Sequence, residues 1–460
     1  MTDLARHAPD VRRPAPEPAA GRTTPVAGAI PASAVTPPVV PAARRREALI
    51  ARIALGLIAV AVLDDAFLHR EPGTSPGDHL VAGLVPAAIA LLLAVAYPRL
   101  RPGPRAVVAV VCGSLAIVAG VVDGLRHVFV DRLAGDDLTA LASLVAGVVL
   151  VALGVAVLWR SRRLDERPLR RHARRALMAV GAVVAIYLVV LPVAIAIVVN
   201  HKARSPVAAA SLGVPYERVV LTTGDGLDLA GWYAPSRNRA AVIVFPGRTG
   251  PVPHARMLAR HGYGVLLLDR RGEGASEGDY NARGWGGEPD LEAAVDYLAR
   301  RPDVDPERIG GLGLSVGGEL LMQAAARDRR LRAVASEGAG RQSLGDQLQT
   351  PDVPAAVRWI SPMTVETAAG IVLANRMPPD ALVDVVPRIA PRPLLLISGG
   401  RGSADEELNE VYADAGGPTA THWEIAGAGH TGGLDAAPDA YEGRIVAFFA
   451  AALPDPPTSP

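Results

Sequence analysis

Two serines in the chain lie in Gly-x-Ser-x-Gly pentapeptides, the pattern that places a serine on a sharp turn between a strand and a helix. They are Ser276 and Ser315. The turn needs small neighbours, and the amino end of the following helix stabilises developing negative charge. Residues 308–314 predict a strand that runs straight into Ser315, and residues 319–327 predict a helix after it, whereas Ser276 is flanked by loop-like segments. The context therefore predicts Ser315 as a nucleophile and Ser276 as a structural serine.

A serine hydroxyl is a poor nucleophile at neutral pH and needs a base, which in turn needs an orienting carboxylate. His430 lies in a glycine-rich segment directly after the last predicted strand, where its ring can reach across the sheet edge. The loop after the preceding strand carries three consecutive carboxylates, Asp405, Glu406 and Glu407. We favour Asp405 as the orienting acid and Glu406 next, with Glu407 and Glu337 as further candidates.

An acyl-transfer reaction also needs two backbone N–H groups that bind the oxyanion. One is expected from Val316, directly after the nucleophile. The other is expected from Arg248, in a proline- and glycine-containing loop after the third predicted strand. No His-Glu-x-x-His motif and no phosphate-binding loop is present, so the sequence predicts neither a metal nor any other cofactor.

These residues need a scaffold, and residues 205–455 predict one. Short apolar runs alternate with helical stretches, as a doubly wound, mostly parallel sheet requires. Residues 340–390 break the alternation and predict a cap inserted over the sheet. Eight strands are predicted, at residues 218–223, 227–234, 240–245, 264–269, 308–314, 331–336, 393–398 and 421–426.

Residues 213–453 resemble the α/β-hydrolase superfamily, and within it bacterial serine esterase and aminopeptidase-like members. The segments that carry this resemblance are residues 262–265, 269–276 and 305–310, together with the serine, acid, histidine order. The chain departs from the family where Pro246 replaces the histidine often found in the oxyanion loop. The resemblance implies an α/β fold with an eight-stranded sheet and an acyl-enzyme mechanism.

The rest of the chain predicts a membrane protein. Half of its 460 residues are hydrophobic, the net charge is +1, and the single cysteine, Cys112, excludes an intramolecular disulfide. Near-zero net charge argues against a general nucleic-acid binder. Residues 48–200 contain five apolar segments of about the length that crosses a bilayer, at residues 48–68, 80–97, 106–122, 138–159 and 176–199.

Arginine clusters alternate between the connecting loops, and the positive-inside rule then predicts a cytoplasmic amino terminus and an extracytoplasmic hydrolase domain in the cell membrane. Residues 1–47 are rich in proline and alanine and predict a disordered cytoplasmic arm. The sequence thus predicts a membrane-anchored serine hydrolase acting on an ester, thioester or amide of a small molecule, lipid or peptide, in contact with membrane lipid. Two alternatives remain: a non-catalytic sensor or scaffold with a ligand-binding hydrolase fold, and an acyltransferase that uses the same triad.

Overall fold

A computed structural model describes residues 42–122, 135–160, 168–200, 211–247, 250–350, 354, 357, 362–401 and 406–455. Its amino-terminal part is a helical bundle. The helices are α1 (Ala42–Phe67), α2 (Leu80–Ala96), α3 (Pro102–Gly120), α4 (Gly135–Arg160), α5 (Pro168–Ala185) and α6 (Leu191–Asn200). A π-helical turn at Ile186–Val190 joins α5 to α6 in one continuous rod. Most of the predicted arm lies outside the described residues, and α1 begins at Ala42, six residues before the predicted start.

The number of candidate membrane spans differs from the prediction. Within the described ranges, four helices are long and apolar enough to cross a membrane, not five: Leu80–Arg99, Pro102–Gly120, Leu138–Arg160 and Leu169–Asn200. The prediction was wrong for residues 48–68. About 20 residues are needed to cross a bilayer. Every stretch of that length in α1 contains at least three charged residues, because charges lie at residues 44–47, at Arg52 and at residues 64–65.

Helix α1 nevertheless packs against the other helices, and one charged residue near each of its ends forms a side-chain contact with them. Near its start, Arg105 of α3 donates to Glu47 at 2.7 Å, and both side chains are almost fully buried. Near its end, Thr139 of α4 donates to Asp64 at 2.6 Å. Helices α3 and α4 are antiparallel and very close, since a Cβ on Gly113 would lie 2.6 Å from the carbonyl oxygen of Gly147. The two polar contacts of α1 therefore lie at opposite ends of this pair.

The carboxyl-terminal part is built on one sheet. In the described residues its eight strands run in the order β1-β2-β4-β3-β5-β6-β7-β8, antiparallel at β1, β2 and β4 and parallel from β4 onward. All eight predicted strands are confirmed to within about one residue. They are β1 (Glu217–Thr222), β2 (Asp228–Ala234), β3 (Ala241–Phe245), β4 (Gly264–Leu268), β5 (Ile309–Leu314), β6 (Leu331–Glu337), β7 (Leu394–Gly399) and β8 (Ala420–Ile425).

Helices cover both faces of this sheet. Helices α8 (Glu288–Ala299), α9 (Val316–Arg327), α12 (Leu382–Val385) and α13 (Leu408–Gly416) bury one face, and α7 (Val252–Arg260) and α15 (Pro438–Ala452) bury the other. The central strands are apolar on both sides, as a doubly covered sheet requires. The helices that follow the bundle are α7 (Val252–Arg260), α8 (Glu288–Ala299), α9 (Val316–Arg327), α10 (Leu344–Leu348), α11 (Pro362–Ala374), α12 (Leu382–Val385), α13 (Leu408–Gly416), α14 (Gly433–Ala436) and α15 (Pro438–Ala452).

The bundle contacts the sheet domain on one side, through the α1–α2 loop and helix α6. In the α1–α2 loop, the carbonyl oxygen of Pro72 accepts a hydrogen bond from Gly278 at 2.9 Å. In the same loop, the carbonyl oxygen of Asp78 accepts one from the Asn375 side chain at 2.8 Å. Helix α11, in the predicted cap region, lies along α6 and also contacts α2. The α1–α2 loop and the carboxyl end of α6 therefore lie on the same side of the bundle as the sheet domain.

Candidate active site

Ser315 lies on a strained turn at the carboxyl end of β5. Its backbone φ is 52° and ψ is −127°, a conformation that ordinary residues rarely adopt outside functional turns. Two glycines of the pentapeptide allow this turn. A Cβ on Gly313 would lie 2.4 Å from the amide nitrogen of Gly318, and one on Gly317 would lie 2.5 Å from the carbonyl oxygen of Phe245. Only glycine fits these approaches, which explains the spacing of the motif.

The imidazole of His430 lies between Ser315 and Glu406. Its Nε2 is 3.0 Å from Ser315 Oγ, and its Nδ1 is 2.5 Å from Glu406 Oε1. An ionised carboxylate can only accept a hydrogen bond, so Nδ1 carries the proton and Nε2 faces the serine hydroxyl as an acceptor. The three side chains come from the carboxyl ends of β5, β7 and β8, where parallel sheets place their ligand sites. This arrangement suits proton transfer from the hydroxyl to the imidazole.

The backbone around Glu406 fixes the orientation of its carboxylate. The side chain is only 3% exposed. Its Oε2 accepts a hydrogen bond from the N–H of Gly399 at 2.7 Å, which leaves Oε1 for His430. The ring of His430 also packs against Gly338, where a Cβ would lie 3.1 Å from its Cε1 atom. Carboxylate and imidazole are therefore set in one relative orientation by neighbouring backbone.

The other acid candidates lie elsewhere. Asp405 is outside the described residues, and Glu407 is exposed at the start of α13. Glu337 is buried and accepts hydrogen bonds from the N–H of Gly433 at 2.7 Å and from the hydroxyl of Tyr441 at 2.6 Å. Burial opposes its ionisation, but these bonds and the nearby His254 keep the pKa of Glu337 below its ordinary value. Glu337 thus anchors the segment that follows His430 instead of touching the histidine.

The second pentapeptide serine has a structural position. Ser276 is fully buried; its hydroxyl donates to the carbonyl oxygen of Asp269 at 2.8 Å and accepts from the N–H of Ala230 at 2.9 Å. These bonds tie the loop after β4 to strand β2. Burial also raises the pKa of the nearby Asp269 carboxyl to about 6.

The expected oxyanion-binding region adjoins the serine. Val316 is the first residue of α9, so its N–H lies at the positive end of a helix dipole. Gly247 packs against the same turn, and a Cβ there would lie 2.6 Å from the carbonyl oxygen of Leu314. Arg248, the expected second donor, lies outside the described residues.

A cavity of about 420 Å³ opens over Ser315 and His430. Its walls come from the ends of β5, β6 and β8, the loop before α8, helix α11 in the predicted cap region, and helix α6 of the bundle. Residues that the sequence did not single out contribute to it, among them Ile195, Val199, Arg283, Arg341, Met363 and Glu366. Arg283 pairs with Glu366, which links the loop before α8 to α11. Arg341, Met363 and Glu366 lie in the predicted cap, but no sequence signal marks Ile195, Val199 and Arg283, because only tertiary packing brings them to the serine.

Within the described parts of the chain, no group of three or more histidine, cysteine, aspartate or glutamate side chains could hold a metal ion. The residues around Ser315 provide a hydroxyl, an imidazole and a carboxylate.

Comparison with known proteins agrees with this fold. A family model for X-Pro dipeptidyl-peptidases of the S15 family matches residues 198–369. An uncharacterised protein of Mycobacterium tuberculosis is 32% identical over 263 residues, which cover 54% of this chain and 83% of that protein. A polyketide transferase of a Penicillium species is 38% identical over 130 residues, covering 26% of this chain and 44% of the relative.

Solved structures are similar over the same part of the chain. An esterase of Pyrococcus furiosus covers 55% of this chain and 97% of its own, with a TM-score of 0.44 and 22% identity. The strand order, the sharp turn after β5 and the match to the S15 family model lead to one assignment. The chain belongs to the α/β-hydrolase superfamily and carries apolar helices amino-terminal to its hydrolase domain.

Proposed function

We propose that the protein is a membrane-anchored serine hydrolase that cleaves an ester, thioester or amide through an acyl-enzyme on Ser315. The observation that carries the proposal is the continuous hydrogen-bonded series from Ser315 through His430 to Glu406, with distances of 3.0 Å and 2.5 Å. A ligand-binding scaffold would not need a hydroxyl, a base and a buried acid in this order at the floor of a cavity.

The reaction proceeds in two steps. Ser315 Oγ attacks the substrate carbonyl carbon while His430 Nε2 takes the hydroxyl proton, and Glu406 stabilises the resulting imidazolium. The tetrahedral intermediate collapses, the carbonyl–leaving group bond breaks, and His430 gives the proton to the leaving alcohol, thiol or amine. Water then attacks the acyl-serine, with His430 as the base, and releases the acid and free Ser315.

The oxyanion formed in each step would be bound by the N–H groups of Val316 and Arg248. The position of Val316 at the start of α9 supports the first assignment. The close approach of Gly247 to the turn supports a donor from the residue after it. Loss of one such donor in comparable sites costs about 10²- to 10³-fold in kcat.

The helical bundle would hold the catalytic domain at the outer face of the cell membrane. The sheet domain contacts the α1–α2 loop and the end of α6. Arginines are concentrated at residues 99–105 and 160–175, near the ends of α2 and α4, which run away from that side, and the starts of α3 and α5. Cytoplasmic segments are enriched in arginine and lysine, which supports an outer location for the sheet domain.

The catalytic proposal is tested by hydrolysis of p-nitrophenyl acetate with the detergent-solubilised full chain. Ser315→Ala and His430→Gln should each lower kcat by at least about 10³-fold. His261→Gln is the matched control, since His261 is a partly exposed histidine that pairs with Glu442 on the surface. Activity that survives Ser315→Ala would exclude the proposed nucleophile.

The orientation is tested with the single lysine of the chain, Lys202, two residues after the last candidate span. A membrane-impermeant amine reagent should modify Lys202 in intact cells, and peptide mapping should find no such product in Lys202→Arg. Modification that requires permeabilised cells would place the catalytic domain inside.

Acyl transfer to an acceptor other than water is a second candidate, favoured by the similarity to a polyketide transferase. It would use the same acyl-enzyme. At low alcohol concentration a transferase should yield the new ester as the main product, whereas a hydrolase should yield mainly the acid because water outnumbers the alcohol.

A further inference from the structure

The cavity over Ser315 has one wall that belongs to the membrane bundle. Ile195 and Val199 of α6 line it together with Met363 of the cap helix α11. Val199 is tied to the catalytic domain, because its carbonyl oxygen accepts a hydrogen bond from Ala282 at 3.0 Å. The last candidate span is therefore part of the substrate cavity as well as an anchor.

The position of these residues along the span places the cavity near the bilayer surface. The apolar part of the last span runs from Ala176 to Val199, about 36 Å at 1.5 Å per residue. A hydrocarbon core is about 30 Å thick. Val199 thus lies at the end of the apolar run, and Ile195 lies one helical turn further into it. The cavity wall continues from the catalytic domain into the zone where lipid chains begin.

The cap helix next to this wall is itself apolar. Helix α11 has one charged side chain, Glu366, in its 13 residues, and it packs along α6. Four other lining residues of the cavity are charged: Arg283, Arg341, Glu319 and Glu366. The two arginines and two glutamates balance in number, so the lining does not select a strongly charged ligand. A cavity lined by both apolar and charged side chains fits an amphiphilic substrate.

From this geometry we infer that the substrate is an ester with a long hydrocarbon chain on its acyl side, which reaches Ser315 from the bilayer along the cavity wall formed by α6 and α11. This inference rests on the proposed serine hydrolase and adds the substrate class. The acyl chain lies against Ile195, Val199 and Met363, and the carbonyl carbon reaches Ser315 Oγ. The C–O bond breaks as His430 protonates the leaving alcohol, and water releases the long-chain acid.

The test compares two p-nitrophenyl esters, acetate and dodecanoate, in mixed detergent micelles with the full chain. The measured quantity is the ratio of kcat/KM for dodecanoate to kcat/KM for acetate. Ile195→Gln and Met363→Gln should each lower this ratio about tenfold, the change expected when an aliphatic contact to the substrate is lost. Because the ratio is internal to each variant, a partly unfolded preparation does not alter it.

Matched controls come from the same parts of the chain. Val198→Gln changes a residue of α6 that is 46% exposed, and Met377→Gln changes a methionine that is 70% exposed; neither lines the cavity. Both should keep the wild-type ratio within about twofold.

The outcomes separate this inference from the proposed function. An unchanged ratio in Ile195→Gln and Met363→Gln, with acetate hydrolysis still dependent on Ser315, would overturn the substrate class and leave the serine hydrolase standing. An equal fall in the control variants would also overturn it, since a general effect of polar substitutions would then explain the result. Absence of Ser315-dependent hydrolysis of both esters would remove the proposed function itself.

Discussion

The substitution Glu406→Gln tests the arrangement of the acid most sharply, because the surrounding backbone dictates how the new amide must sit. Glu406 Oε2 accepts from the N–H of Gly399 at 2.7 Å, and Oε1 accepts from His430 at 2.5 Å. A glutamine has one oxygen and one NH₂ group for these two donors. If its oxygen faces Gly399, its NH₂ group faces Nδ1, which must give up its proton. His430 then carries the proton on Nε2 and cannot act as a base for Ser315.

The opposite orientation of the amide keeps the His430 proton on Nδ1, but it places the NH₂ group against the N–H of Gly399. That leaves a buried donor unsatisfied, at a cost of about 1–3 kcal/mol. The lost charge-assisted bond to the imidazolium costs about another 1.5–3 kcal/mol in the transition state. Together these costs correspond to a fall in kcat between about 10² and 10⁴.

The assay is steady-state hydrolysis of p-nitrophenyl acetate, with thermal unfolding in detergent as a check that the variant folds. Asp405→Asn and Glu407→Gln are the controls, and each should change kcat by less than about threefold. A Glu406→Gln enzyme within tenfold of wild type would refute the reasoning. So would an Asp405→Asn enzyme with a loss as large as that expected for Glu406→Gln.

The remaining predictions concern stability, measured by thermal unfolding of the detergent-solubilised chain. Gly317→Ala forces a Cβ to within 2.5 Å of a β3 carbonyl oxygen and should abolish activity and lower the melting temperature. Gly443→Ala has open space around it and should be neutral or stabilising by up to about 1 kcal/mol. Equal behaviour of the two variants would contradict the close packing of the turn. Burial raises the pKa of Asp269 to about 6, so its native state binds the proton more tightly than the unfolded chain and the wild type loses stability as pH rises from about 4 to 6. Asp269→Asn should therefore be more stable than wild type at pH 7.5, by at most about 3 kcal/mol, with less advantage at pH 4; a pH-independent difference would argue against this titration. Tyr441→Phe removes a 2.6 Å hydrogen bond to the buried Glu337 carboxylate and should cost about 1.5–3 kcal/mol; an unchanged melting temperature would show that the bond contributes nothing.

Much of the sheet domain could be predicted because its signals are local. Apolar runs of five to seven residues separated by turns mark the strands. The glycines around Ser315 mark a backbone turn that only small residues permit. The loop after β8 also places His430 at the correct sheet edge without any tertiary information, since the carboxyl ends of parallel strands share that edge.

The acid could be located only to a loop. Asp405, Glu406 and Glu407 are consecutive, and the choice depends on which side chain points back towards the Gly399 N–H. That direction is set by loop conformation, which no pattern of residue types encodes.

Helix α1 and the cavity show a different limit. The number of candidate spans was overestimated because residues 48–68 contain an apolar stretch, but its charges pair inside the bundle with residues such as Arg105 and Thr139. The contribution of Ile195 and Met363 to the cavity depends on α11 packing along α6, about 170 residues away in sequence. Such contacts between distant segments leave no periodic trace in either segment.

The most direct test of the central claim is to identify the residue that a fluorophosphonate probe modifies on the solubilised, folded wild-type chain. These probes react with serines activated by a neighbouring base. Peptide mass mapping should find the phosphonyl group on Ser315, and Glu406→Gln should slow the labelling. A folded wild-type protein that remains unlabelled, or that is labelled at another serine, would contradict the account.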